Sequence, residues 1–205
     1  MIPDAYHAET SAIALSRVAF GGNCYWCTEA IFQSLLGVES VEQGFVAARG
    51  ESDHDGESDH DVDNDHDGET EAFSEAVIVH FDPSAISLTT LIEIHLHTHH
   101  CTAQHSMRQQ FRSAVYVFDE QQGLEAQHIL DALQADFSAP IITQVLPFAS
   151  FRPSKERCQN YFYSNPQRPF CERWITPKLR ILLDRFSQQV DQQRLANAGL
   201  DIDKD

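Results

Sequence analysis

Apolar residues recur along this chain with two different spacings. Runs in which β-branched and aromatic side chains crowd together predict strands, and they fall at residues 17–20, 38–45, 76–81, 111–118 and 141–146. Between them lie stretches with apolar positions three and four apart, the spacing of one helix face. The first carries Ala30, Ile31, Ser34 and Leu35 and stops at Leu36-Gly37, since glycine suits the left-handed residue that closes a helix. The second starts at a Ser87 cap, after Asp82-Pro83 has ended a strand, and runs through Leu91, Ile92 and Ile94 to about His97. The third begins at Asp119 and contains Leu124, Ile129, Leu130 and Leu133. A further helix follows Pro153, residues 165–169 read as a loop, and a last helix runs from Pro177 to about Leu195.

Strands and helices alternate, except for one pair of strands that flank residues 51–71. The order β-α-β-β-α-β predicts an α/β (α+β) fold: a split βαβ, ferredoxin-like two-layer sandwich forming a single domain. Residues 16–190 are the expected folded domain, with residues 1–15 and 191–205 as tails. Residues 51–71 interrupt it with three copies of one six-residue unit: Ser52 to Glu57, Ser58 to Asp63 and Asn64 to Glu69. Nothing in these repeats can bury apolar area and their like charges repel, so a mobile surface loop is expected.

That insertion also explains the charge. The formal net charge is −17, yet residues 51–71 alone hold eleven acids and no lysine or arginine, which leaves −6 for the rest. A negative field argues against nonspecific nucleic-acid binding, which depends on basic side chains neutralising phosphates. No apolar run approaches the roughly 18–20 residues of a membrane span, and the acidic N-terminus does not resemble a secretory signal, so a soluble cytoplasmic protein is expected. Five cysteines, an odd and mostly scattered set, point to thiol chemistry, metal binding or burial rather than to a disulfide framework.

The candidate chemistry concentrates in Gly21-Gly22-Asn23-Cys24-Tyr25-Trp26-Cys27. A strand, two glycines and a helix beginning at a cysteine place that sulfur beside unpaired N–H groups at the positive end of the helix dipole. Such a setting favours thiolate, the nucleophilic form, and predicts a lowered pKa for Cys24. Tyr25 and Trp26 supply a flat apolar wall beside it. The alternative is a small buried residue at a tight turn.

This segment resembles the Gly-Cys-Phe-Trp signature of the A-type methionine sulfoxide reductases, and the likeness continues in register over about residues 17–180. Glu75-Ala76-Val77 followed by Phe81-Asp82-Pro83, the strand Arg112-Ser113-Ala114-Val115-Tyr116, and Pro177-Lys178-Leu179 all match family landmarks in the right order. The resemblance implies that Cys24 is the nucleophile, which attacks the sulfoxide sulfur and becomes a sulfenic acid while methionine departs. It implies that Glu75 is the general acid for the leaving oxygen, and that Tyr25 and Trp26 hold the sulfoxide methyl group. Cys171 matches the C-terminal recycling thiol and ranks first for that role, ahead of Cys27 and Cys101. The implied substrate is free or protein-bound methionine sulfoxide, and the implied partner is an external thiol reductant of the thioredoxin type. No bound cofactor and no metal are expected, and neither nucleic acid nor a membrane is an expected partner.

Departures from the family pattern cluster around the sulfoxide oxygen. A tyrosine position is Phe111, the usual aspartate stretch is His105-Ser106-Met107-Arg108, and the segment carrying a second tyrosine is replaced by the acidic repeat. His105, Ser106 or Arg108 are the candidates to compensate. Cys158 stands where the family often has histidine. Two rival readings remain open: a thioredoxin-like disulfide oxidoreductase using Cys24 and Cys27, and a non-catalytic metal-binding or adaptor module defined by the His-Asp repeat. In the second, His54, His60 and His66 would be weak ligands, and His95, His97, His99, His100 and His105, read as partly exposed, a possible further cluster.

Overall fold

The structure is a computed structural model that describes residues 14–50 and 72–200. Both tails' outer parts and the acidic repeat lie outside the described residues, and with them the expectation of a mobile loop. Among the described residues five strands form one mixed sheet: β1 (Ser16–Gly21), β2 (Val38–Ala48), β3 (Ser74–Phe81), β4 (Ala114–Val117) and β5 (Gln144–Pro153). Their order around the sheet is β1-β3-β2-β5-β4, and β4 returns to pair with β1, so the sheet closes on itself. The pairs β1–β3, β2–β3, β1–β4 and β2–β5 are antiparallel, whereas β4 and β5 are parallel.

Closure buries both faces of the central strands, and side-chain alternation sorts their residues into two cores. Val18, Phe20, Val77, Val79, Val115 and Val117 face outward to the helices. Ala19, Val46, Ala48, Ala76, Ile78, Ala114 and Tyr116 fill the interior of the closed sheet. A five-stranded enclosure is narrow, so alanine predominates there and one tyrosine occupies the remaining space. Gly44 belongs to the same tight packing, because a Cβ there would lie 2.1 Å from the Arg152 carbonyl oxygen.

The α-helices among the described residues are α1 (Tyr25–Gln33), α2 (Leu88–Thr98), α3 (Glu120–Leu133), α4 (Tyr161–Ser164), α5 (Thr176–Phe186) and α6 (Gln192–Asn197). The expected caps are present: Ser87 accepts from the Thr90 N–H and Asp119 from the Gln122 N–H. Two boundaries differ from the sequence reading. The fifth strand runs to Pro153 rather than ending at 146, because residues 148–153 turn from β4 to pair with β2. The last helix is broken at residues 187–191, where the Leu36 N–H donates to the Gln189 carbonyl (2.7 Å) and the Asp191 N–H to that of Ser34 (2.9 Å). The detour satisfies backbone groups at the end of α1 that a continuous helix would leave unpaired. Residues 191–200, read as part of a tail, therefore include α6, which is anchored by fully buried Leu195.

Candidate active site

The site forms where β1 runs into α1. Gly22 has a positive φ of +146°, and a Cβ there would lie 2.6 Å from the His99 ring, so only glycine lets the chain pass between strand and helix. His99 is fixed by the His95 carbonyl (2.6 Å) and the Ser113 hydroxyl (2.7 Å). His95 and His99 are buried rather than partly exposed, stack on one another at 4.1 Å, and are kept neutral chiefly by burial, His99 down to about 3. They brace the turn. Among the described residues no group of His, Cys, Asp or Glu is arranged to hold a metal ion.

Cys24 is the N-cap of α1, and its side chain makes no capping hydrogen bond. Its carbonyl takes over that task, accepting from the Cys27 N–H at 3.0 Å and the Thr28 N–H at 3.3 Å. The sulfur is thereby left to its neighbours. The Cys27 thiol, the Glu75 carboxyl and the Trp26 backbone N–H are the neighbours that set its proton affinity.

The expected lowering of the Cys24 pKa does not emerge from this environment. The hydrogen bond with Cys27, then burial, then the nearby charges of Cys27 and Glu75 push the thiol up, and only the Trp26 N–H opposes them. One helix N–H is a small effect against desolvation and a carboxylate. Cys27 moves the other way, lowered first by the Cys24 hydrogen bond and also by the Lys178 ammonium, against its own burial. Lys178 is held over the pair by a 2.6 Å hydrogen bond to the Thr98 carbonyl, which also accepts from the Asn23 side chain at 3.0 Å.

Glu75, on β3, is buried, and both carboxyl oxygens are engaged. One accepts from the Tyr25 N–H at 3.0 Å, the other from the Gln110 side chain at 2.9 Å. Burial raises its pKa more than these hydrogen bonds lower it. The carboxyl is therefore suited to hold a proton beside Cys24, whose chain neighbour Tyr25 it binds.

Trp26 stacks face to face on Tyr161 (4.0 Å, 15°) and meets Phe170 and Tyr25 edge-on at 5.2 and 5.7 Å. Its indole N–H donates to the Cys158 carbonyl at 3.0 Å. The segment around Tyr161 is itself anchored: buried Glu29 accepts from the Asn160 and Tyr161 N–H groups at 2.7 and 3.0 Å, and Gln43 donates to both Glu29 and the Cys158 carbonyl. Glu29, Gln43, Gln110, Tyr161 and Lys178 were not selected from sequence. Tyr161 carried a signal as part of an aromatic run Tyr161-Phe162-Tyr163, and Lys178 lay within the Pro177-Lys178-Leu179 landmark.

The remaining candidates are placed as follows. Cys171 lies in a π-helical turn (Cys171–Ile175), fully buried, its sulfur donating to the Asn165 carbonyl at 3.7 Å; the thiol it senses is Cys27. Cys101 is buried beside the Arg108 charge. His105 and Ser106 are exposed, and His105 senses Arg108 and His100. The Arg108 guanidinium is spent on the carbonyls of Gly22, His100, Ala103 and Phe111, which staples the loop. A separate depression of about 480 Å³, lined by residues such as Phe118, Leu124 and Phe148, touches none of the groups around Cys24.

A thiol pair at a helix start, facing a buried protonatable carboxyl and walled by aromatic rings, defines a thiol-dependent redox enzyme. The peptide methionine sulfoxide reductase family matches residues 16–193. A peptide methionine sulfoxide reductase of Acinetobacter baumannii is 31% identical over 183 residues, covering 87% of this chain and all of that protein. In fold the chain is similar to yeast Mxr1 in reduced form, with a TM-score of 0.62 and 20% identity over 77% of this chain and 89% of that one. It is also similar to Mxr1 in a complex with Trx2, with a TM-score of 0.51 and 16% identity over 73% and 90% of the two chains. The chain belongs to the peptide methionine sulfoxide reductase family. Membership disfavours the disulfide-oxidoreductase and metal-module readings.

Proposed function

We propose that this protein reduces methionine sulfoxide, free or in proteins, with Cys24 as nucleophile and Glu75 as the group that moves the proton. The observation that carries this reading is the buried Glu75 carboxyl, its pKa raised by burial, held at the start of α1 by the N–H of Tyr25, the residue directly after Cys24. Cys24 loses its proton as its sulfur attacks the sulfoxide sulfur, and Glu75 delivers a proton to the sulfoxide oxygen. The net step converts thiol plus sulfoxide into sulfenic acid plus thioether. Two electrons pass from Cys24 to the substrate sulfur, and the oxygen leaves on Cys24. Tyr25 and Trp26 offer the sulfoxide methyl group its apolar surface.

The sulfenic acid then condenses with a second thiol, forming a disulfide and releasing water. Its place one turn of helix from Cys24, whose proton affinity it shifts most, supports Cys27 as the first partner, a change from the ranking that sequence suggested. Two residues of helix lie between the two cysteines, as in helix-start Cys-x-x-Cys pairs. Cys171, which senses Cys27, is then the second thiol of a relay that brings the disulfide to an external dithiol of the thioredoxin type. The yeast relative seen with Trx2 supports that partner. We also read the strand order β4-β1-β3-β2 as a split βαβ plan to which β5 adds closure, a reading supported by the antiparallel pairings of β1 with β3 and β4.

The test is reduction of the two separated methionine sulfoxide epimers with dithiothreitol, for wild type and Cys24→Ser. One epimer should be reduced by wild type and neither by the variant. A fully active Cys24→Ser enzyme would refute the assignment.

A further inference from the structure

We propose that the stacked His95–His99 pair is an acid-sensitive latch beneath the Cys24 turn, holding that turn while both rings are uncharged and releasing it once either takes up a proton. The inference concerns the turn itself, so it stands apart from the reaction assigned to Cys24. The two rings stack at 4.1 Å and 24°, and His95 also packs on Phe20 at 4.9 Å. The His95 carbonyl accepts from His99 Nδ1 at 2.6 Å, which leaves Nε2 of the neutral ring to accept from the Ser113 hydroxyl at 2.7 Å. Ser113 is in turn paired with the Thr143 hydroxyl at 2.8 Å. Gly22, two residues before Cys24, runs so close over the His99 ring that a Cβ there would lie 2.6 Å from it. The position of the turn is thus set by where His99 sits.

Neither ring has a group that would offset a positive charge. Both are buried, and among the described residues no carboxylate is paired with either. The charged groups that reach them are Arg108 from the loop before β4, Lys178 from α5 and His100 beside His99, all basic. Arg108 and Lys178 are pinned there on the carbonyls of Gly22, His100 and Thr98. Imidazolium carries a hydrogen on both nitrogens, and His95 Nε2 has no hydrogen-bond partner among the described residues. A charged His95 would therefore bury an N–H without an acceptor. A charged His99 would turn its Nε2 from acceptor to donor against a hydroxyl already directed at it. Once protonated, the rings leave the interior, and His99 takes Gly22 with it. Burial chiefly, aided by the basic neighbours, holds both rings below the usual imidazole range, His99 down to about 3. The unfolded chain takes up protons first, near pH ~6.5, so stability is full above that value and falls as pH drops below it. The raised carboxyls of Glu29 and Glu75 act in the opposite sense.

His95→Phe keeps an aromatic ring against Phe20 and keeps the backbone carbonyl that holds His99, but removes one site for a proton. Each buried ring lowers the folding constant by about 10-fold per pH unit below about 6.5. Between pH 7.5 and pH 5.0, chemical unfolding of wild type should therefore show a loss about 30-fold larger than that of His95→Phe. Hydrogen exchange of residues 20–26, corrected for its intrinsic pH dependence, should quicken at pH 5.0 in wild type and less in the variant. Equal losses of stability in the two proteins overturn the proposal, and so does an equal rate of exchange at the turn at pH 5.0. If His95→Phe does not fold, the imidazole proton resonances of wild type decide. Two rings that keep neutral shifts at pH 5.0 support the latch, and titration of every ring near pH ~6.5 overturns it. None of these measurements uses a sulfoxide, so a failure here is distinct from a failure of the redox reading.

Discussion

Replacing Glu75 by glutamine separates its proton from everything else the residue does. The amide has nearly the carboxyl's shape, and its oxygen can still accept from the Tyr25 N–H at about the present 3.0 Å. Its NH2 would then face the Gln110 NH2, which now donates at 2.9 Å. A flip of the Gln110 amide turns its oxygen toward Glu75→Gln and restores the pair. Gln110 is exposed, so the flip is unobstructed and the fold should be kept. What is lost is the group that relays a proton from Cys24 to the sulfoxide oxygen. General acid catalysis is worth about 10²–10⁴-fold, so we expect single-turnover kcat to fall by about 10²-fold or more, about 2.7 kcal/mol of barrier. The variant also has a signature in stability. A carboxyl whose folded pKa is raised favours the protonated folded state, and that advantage is lost as pH rises through the folded value. Wild type should therefore lose stability relative to Glu75→Gln as pH climbs above the ordinary carboxyl range, whereas at low pH the two should melt alike. Activity within about 3-fold of wild type, or a stability difference independent of pH, would refute the role given to Glu75.

Other expectations follow from the same geometry. One equivalent of methionine sulfoxide should convert wild type to a Cys24–Cys27 disulfide in peptide maps at early times; Cys27→Ser should still release about one methionine per enzyme yet stall with thioredoxin, and a direct Cys24–Cys171 bond in wild type at the earliest time would return the first step to Cys171. Glu29→Ala leaves the N–H groups of Asn160 and Tyr161 without their acceptor, at about 0.5–1.5 kcal/mol each, so the melting temperature should fall, KM should rise as Tyr161 leaves Trp26, and an unchanged KM would count against the anchoring role. Gly22→Ala should destabilise the protein by about 1–3 kcal/mol from backbone strain alone, with added loss of activity as the new Cβ displaces His99; a variant of wild-type stability and activity would contradict the tight passage described.

The parts of this structure that were legible in the sequence are those written in one element at a time. The runs Ala76-Val77-Ile78-Val79 and Ala114-Val115 announce strands because closure buries both of their faces, which removes polar residues from them. Ser87 and Asp119 announce helix starts because a cap acts on an N–H only three residues away. The Gly21-Gly22-Asn23-Cys24 turn was legible for the same reason. Closure of the sheet was not, because the partner of β2 beyond residue 147 is chosen by tertiary packing, and half-buried Phe148 and Phe151 alternate with residues that read as surface. Glu29 and Gln43 look like solvated positions in a helix and a strand. Their purpose depends on backbone N–H and carbonyl groups more than 100 positions away, around Cys158 and Tyr161. The pKa of Cys24 was misjudged for a related reason. Helix position can be read locally, whereas the burial and the Glu75 carboxyl that outweigh it come from the fold.

That reversal has a consequence for the chemistry. A thiolate formed in advance at Cys24 would place a negative sulfur against Glu75, and the two would repel while the site waited for substrate. Holding the proton on the thiol, with a buried carboxyl beside it that also prefers to be neutral, keeps the resting nucleophile uncharged. An uncharged thiol is also less open to oxidants that act on free thiolates. The sulfoxide changes this balance, because its oxygen is a strong acceptor aimed at the same carboxyl. A proton drawn from Glu75 toward that oxygen leaves a carboxylate that is the natural base for the nearby Cys24 thiol. Activation of the nucleophile and activation of the leaving oxygen are then one event, triggered by the substrate. On this argument the apparent pKa of Cys24 should fall when a non-reducible sulfoxide mimic such as dimethyl sulfone occupies the site. Titration of thiolate absorbance at 240 nm, with and without the sulfone, checks it, using Cys24→Ser as the blank. An unchanged titration with the site saturated would mean that Cys24 is ionised by some route other than Glu75.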